Sequence, residues 1–346
     1  MTSRLVGAAA LVLISVICAI APFPPEVVER LYSTRLYLDI QTILTTASNQ
    51  YPIALLDVAV GCLLVVACVI ARSRIRSLGF REALVWNCAT AVKTAALVYL
   101  LFLALWGLNY RRVPLEQKLD YDSSRLTPAA AVSFANTAVG AINGGYAGAH
   151  ASPVDTRVLE TSFADAQKAL GATRIAITGI PKRSLLTLYF RRAAIDGMTD
   201  PFFLEIIVNT DILEFERPFV VAHEWAHLAG YANEAEANFV AWLTCVRGDA
   251  AARYSGWLAA YEHAMNALTP ADRASVKPLD PGPLQDRRAM AARYARSSKV
   301  VRNAARGVYD EYLRANRVAE GIGSYDAVLR LMVGTRFDPG WIPRVR

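Results

Sequence analysis

Four histidines occur in the 346 residues, and two of them fall in the run Val221-Ala222-His223-Glu224-Trp225-Ala226-His227-Leu228-Ala229-Gly230. Residues four apart on a helix share a face, so His223 and His227 can offer imidazole nitrogens to one Zn²⁺. Glu224 follows directly, beside that face. There it can reach a water on the metal and act as general base without taking a coordination position. The spacers Trp225 and Ala226 are uncharged and no proline interrupts the run. An i,i+3 contact between Glu224 and His227 is the ordinary alternative, but two histidines and a glutamate on an otherwise apolar helix are costly without a partner.

A catalytic zinc needs a third protein ligand and one open position. Gly230 lets the chain leave the first helix, and Asn233-Glu234-Ala235-Glu236-Ala237-Asn238 opens the next. Asn233 as N-cap with Glu236 three residues on reads as a capping box, which occupies Glu236 structurally. Glu234 is therefore favoured over Glu236 as third ligand. Asn238, one turn beyond Glu234, can support a metal-binding imidazole by hydrogen bonding.

The elements that must position this cluster are unusually apolar. The chain is 54% hydrophobic and 19% charged, with a mean hydropathy of +0.27, which excludes a disordered chain and predicts membrane spans. Apolar runs at 5–21, 53–71 and 91–108 are each near the length needed to cross about 30 Å of hydrocarbon. Lys93 is expected near one interface, and Asp57 about one turn inside the second run. Arg72, Arg74, Arg76 and Arg81 crowd the connection after the second span, so that side reads as cytoplasmic and residues 111–346 as extracytoplasmic. Arg4 and Ala19-Ile20-Ala21 also allow the first run to be a cleaved signal. The five cysteines do not form a disulfide scaffold. The net charge of +7 lacks the interleaved aromatics and glycine loops of a nucleic-acid module.

Residues 1–110 thus read as a membrane region, and 111–346 as one α+β domain in the order helices, sheet, helices. Helices are expected at 127–147, 155–170, 218–229, 234–247, 250–267, 284–315 and 324–333. Strands are expected at 174–178, 185–190 and 203–209.

His223-Glu224-x-x-His227 followed by Asn233-Glu234-x-x-x-Asn238 resembles the gluzincin class of metallopeptidases, whose third ligand is a glutamate. Asn238 stands where many members carry aspartate, and the gap between the two helices is shorter than in thermolysin-like enzymes. A metzincin would require a histidine at Asn233. The chain also resembles an uncharacterised family of bacterial membrane proteins, a domain of unknown function with a gluzincin-like centre. That likeness runs from Trp106-Gly107-Leu108-Asn109-Tyr110-Arg111, through Pro218-Phe219 and the zinc motif, to Tyr309-Asp310-x-Tyr312-Leu313 and Ser324-Tyr325. The resemblance implies a multi-pass zinc metallopeptidase of the bacterial inner membrane that acts on a peptide or protein. It further implies an edge strand binding substrate backbone, for which 203–209 is the expected segment. An oxyanion donor is also implied, with His263, Tyr309, Tyr312 and Tyr325 as candidates by type. His150 is expected at the surface or a helix end, and Cys245 too far along its helix to join the metal. Two other classes stand beside the peptidase: a noncatalytic membrane scaffold with a structural metal site, and a transporter subunit using Asp57 and Lys93.

Overall fold

The computed structural model describes residues 2–316 and 327–346, with side chains from residue 7 onward. The chain runs α1 (Thr2–Ile20), α2 (Pro25–Val27), a π-helical stretch Val28–Leu36, α3 (Tyr37–Ser48), α4 (Leu55–Leu78) and α5 (Phe80–Leu105). After a 3-10 turn at Gly107–Arg111 come α6 (Leu115–Lys118), α7 (Pro128–Ala151), α8 (Thr156–Ala169) and α9 (Thr187–Ala193). A hairpin of β1 (Gly197–Asp200) and β2 (Glu205–Val208) precedes α10 (Arg217–Leu228), α11 (Glu234–Cys245) and α12 (Ala250–Ala267). Then follow α13 (Pro270–Ala274), α14 (Pro281–Ala295), α15 (Lys299–Ala315), α16 (Ala327–Gly334) and a second hairpin, β3 (Phe337–Asp338) with β4 (Ile342–Pro343). The architecture is mostly helical with two small antiparallel hairpins.

Among the described residues α4 and α5 are long and apolar enough to cross a membrane; α1 qualifies only when counted with Pro25–Ser48, from which it is bent by 102°. Two or three helices therefore suit a membrane, where three spans were expected. The second and third differ from their expected bounds, since α4 extends through Arg72, Arg74 and Arg76, and α5 starts directly after Gly79. Arg74 folds across that turn onto Trp86 O, Asn87 Oδ1 and Thr90 Oγ1. Lys93 consequently sits in the middle of α5 beside Gly7 of α1, not at the start of a span. Asp57 accepts from Ser184 Oγ and Leu185 N, both at 2.7 Å, which gives it a structural partner.

The extramembrane core surrounds α11, every residue of which is buried. Helices α7, α8, α10, α12 and α16 pack around or beside it. Thr127, Asp155 and Asn233 cap α7, α8 and α11 through their side chains, as their positions before the apolar runs predict. This core also takes in chain from before residue 110. Tyr37 is fully buried, and Thr45 Oγ1 donates to Leu204 O at 2.7 Å.

Four expectations differ locally from the structure. Residues 174–178 form no strand, and 185–190 enters α9 instead, where the Ser184 hydroxyl accepts from Leu186 N as the chain turns into the helix. The long helix at 284–315 is broken into α14 and α15 at Ser298, which caps Val301 N. The helix expected at 127–147 runs on to Ala151. Tyr325 and the expected start of the helix at 324 lie outside the described residues.

The sheet is fixed to α4 through a buried ion pair. Lys182 Nζ donates to Glu205 Oε2 and Ser48 Oγ, each at 2.7 Å, and to Ser48 O at 2.8 Å. Glu205 also accepts from Leu55 N at 3.1 Å and Leu56 N at 2.9 Å, the first amides of α4. Both side chains are closed to solvent, at 1% and 0% exposure. Removing one partner leaves a buried charge uncompensated, which typically costs about 3–5 kcal/mol. Lys182→Met is therefore expected to lower the thermal midpoint of the detergent-solubilised protein by several degrees. An unchanged midpoint would show that the pair does not hold the junction.

Candidate metal centre

Helix α10 opens with Pro218, which fits a first turn, and closes at Gly230, whose φ of +80° only glycine adopts without strain. Tyr231 N reaches back to Ala226 O at 3.1 Å and Gly230 N to His227 O at 2.9 Å, a Schellman closure. The terminal carbonyls also take donors from distant chain. Trp106 Nε1 donates to His227 O at 3.0 Å and Tyr37 Oη to Leu228 O at 2.8 Å. Arg112 Nη1 donates to Ala229 O at 3.4 Å and Gly230 O at 3.0 Å. Asn233 Oδ1 then accepts from Ala235 N and Glu236 N and starts α11.

This reversal brings His223, His227 and Glu234 together, with their ligand-type atoms within 4.8 Å of one another. The two Nε2 atoms are 3.1 Å apart. Glu234 Oε2 lies 3.4 Å from His223 Nε2, and its Oε1 lies 3.6 Å from His227 Nε2. His227 Nδ1 meets Tyr231 O at 2.8 Å, so the proton belongs on Nδ1 and the Nε2 lone pair faces the cluster. Burial pushes His227 down to about 4. Burial would also lower His223, but Glu234, with Glu224 and Asn238, offsets it and the net shift is upward. Burial would raise Glu234, yet the two imidazoles and hydrogen bonds from His223 and Tyr309 bring it down to about 2. The result is an anionic carboxylate and imidazole nitrogens converging on one point, a donor set that could hold a divalent metal ion.

Glu224 faces the β1–β2 hairpin. Thr199 Oγ1 donates to Glu224 Oε2 at 2.8 Å and also contacts Glu224 O at 3.0 Å. Burial pushes the Glu224 carboxyl up to about 7, against the lowering effects of His223 and the Thr199 hydroxyl. The strand at 203–209, expected to be the edge, is the inner one. Val208 N and Ile206 O pair with Lys182 on the side away from β1. Their partners in β1, Gly197 and Thr199, therefore turn their backbone N–H and C=O away from β2. No partner for these groups occurs among the described residues, and the open edge is β1, next to Glu224.

Glu236 points away from the cluster. Its Oε1 accepts from Leu115 N at 2.7 Å, so the capping box is half formed: Asn233 caps, but Glu236 does not reciprocate. Asn238 is buried with Nδ2 unbonded, as is His223 Nδ1; Asn238 still lies close enough to help raise His223. Among the oxyanion candidates, Tyr309 Oη donates to Glu234 Oε1. Tyr312 packs against Tyr110 and Phe102. His263 is near enough to His223 to feel its charge, and burial brings it down to about 4. Tyr325 lies outside the described residues. His150, near the end of α7, pairs with Asp286 at 3.2 Å, and Cys245 is buried at the far end of α11. Sequence reasoning missed Thr199, which sits in a Gly-Met-Thr-Asp-Pro stretch that reads as a turn. It also gave no role to Tyr37 or Trp106, although the Trp-Gly-Leu-Asn run was conspicuous at the end of an apolar segment.

A family model described as "Protein of unknown function (DUF3810)" matches residues 32–333. The chain belongs to that family. No curated protein and no solved structure matches it.

The closeness of β1 to α10 is testable without knowing the reaction. A Cβ on Gly197 would stand 2.4 Å from Glu224 Oε1, so Gly197→Ala should cost about 1–3 kcal/mol as overpacking and lower the thermal midpoint. Gly140→Ala is the control: nothing lies within 4 Å of its added methyl, and its midpoint should hold or rise.

Proposed function

We propose that this DUF3810 chain is a membrane-anchored, zinc-dependent metallopeptidase with a gluzincin-like centre. The observation that carries the reading is the triangle of His223 Nε2, His227 Nε2 and Glu234, with separations of 3.1, 3.4 and 3.6 Å. Ligands bound tetrahedrally at about 2.0–2.1 Å stand about 3.3–3.4 Å apart, so these three residues fit zinc and would hold it. Zinc bound there would polarise a peptide carbonyl and acidify a water.

The remaining work falls to the chain's own groups. Glu224 Oε1 and Oε2 would take the proton of the attacking water and return it to the leaving amine. Thr199 orients that carboxylate through its hydroxyl. The outward amides and carbonyls of Gly197 and Thr199 suit an extended peptide added as a further strand. Tyr309 fixes Glu234. Clustering of Arg72, Arg74, Arg76 and Arg81 at the far ends of α4 and α5 favours an extracytoplasmic domain.

A second reading, a noncatalytic scaffold stapled by the metal, draws on the burial of His227 and Glu234 and the Tyr309 contact. The two readings separate in one experiment. Metal content by mass spectrometry should be about one zinc per chain (one site), lost in Glu234→Ala and kept in Glu236→Ala. Glu224→Gln should keep zinc while hydrolysis of a random-sequence fluorogenic peptide pool falls about 10²–10⁴-fold. Full hydrolysis in that variant would falsify the mechanism. Loss of folding in His223→Ala with a silent Glu224→Gln would establish the scaffold.

A further inference from the structure

Leu185 has the most exposed large apolar side chain among the described residues, at 89%. Around it Ile53, Ile180, Leu186, Leu188 and Tyr189 are exposed as well. So many exposed apolar side chains on one turn and the helix it leads into mark an interaction surface rather than ordinary solvent-facing chain. Its position is fixed by specific bonds. Leu185 N and Ser184 Oγ donate to the Asp57 carboxylate in the first turn of α4, each at 2.7 Å. Ile53, just before α4, is bridged to Arg183. The turn leading into α9 is thus held level with the start of a helix apolar enough to cross a membrane. Arg183, within the turn, and Arg192, near the end of α9, are exposed as well and can reach lipid phosphates.

We infer that Ile180–Tyr189 is a membrane-contacting surface. Its leucines and tyrosine enter the headgroup and upper acyl region of the leaflet facing the extramembrane domain, as interfacial elements do, with Arg183 and Arg192 at the phosphates. The inference rests on α4 and α5 being membrane spans, and it is independent of the metal and of any hydrolysis. Gly197, where β1 begins, follows α9 by four residues.

The test places a bimane label at Leu185→Cys or Leu188→Cys in the full chain with Cys18, Cys62, Cys68 and Cys88 replaced by alanine. The protein is reconstituted in phosphatidylcholine–phosphatidylglycerol vesicles with and without lipid carrying a nitroxide high on its acyl chain. Ala271→Cys, in α13 away from the apolar helices, serves as reference. Both variants remove side chains that are mostly exposed, so the fold should survive, and the thermal midpoint verifies this. Blue-shifted emission and several-fold stronger nitroxide quenching at 185 and 188 than at 271 is the expected result. Quenching equal to the reference overturns the inference. Blue-shifted emission without lipid quenching overturns it too, in favour of a protein covering the patch.

Discussion

A helix that ends inside a protein leaves carbonyls that must find donors, and at α10 those donors come from chain flanking the apolar helices. Trp106 stands immediately after α5, Tyr37 begins α3, and Arg112 follows the 3-10 turn. Together they take up the carbonyls of His227, Leu228, Ala229 and Gly230. Arg112 is itself held by a bidentate pair with Glu29 at 2.9 Å and lies over the Tyr231 ring. The Schellman turn that sets His227 against Glu234 is therefore also held from outside. It is shaped by residues 100 or more positions earlier, and the orientation of the His227 ring through Tyr231 O inherits that constraint.

The same economy governs α11. A fully buried helix that carries Glu234 and Glu236 two positions apart would be unstable unless each carboxylate found a partner. Two positions on a helix rotate a side chain by about 200°, so the two glutamates leave opposite faces. Glu234 meets the imidazoles and Tyr309; Glu236 meets Leu115 N, and burial raises its carboxyl despite the nearby Arg112. One acid holds the cluster and the other ties down the segment leaving the apolar helices.

The readable parts of the sequence are those decided over a few residues. Caps at Thr127, Asp155 and Asn233 gave helix starts, and the four-residue spacing of His223 and His227 gave a shared face. Glu234 was favoured over Glu236 through a capping box that does not close: Glu236 is occupied, but by Leu115 N and not by the amide of Asn233. What escaped was decided by contacts far along the chain. Segment 185–190 has strand-like composition but pairs with no strand, because Asp57 holds its amide. Gly197–Asp200 looks like punctuation and becomes a strand through β2. Thr199, Tyr37 and Trp106 are informative only once α10 lies beside them, at separations of 25, 191 and 121 residues.

The attachments of α4 and α5 differ, and this has a mechanical consequence. The start of α4 is bonded to the sheet through Glu205, while the end of α5 is bonded to α10 through Trp106. Tilt follows the packing of neighbouring helices, so were α4 and α5 to slide against each other in a membrane, the hairpin and α10 would be pulled in different directions. The contacts between those two elements, Thr199 with Glu224 among them, would take up that shear.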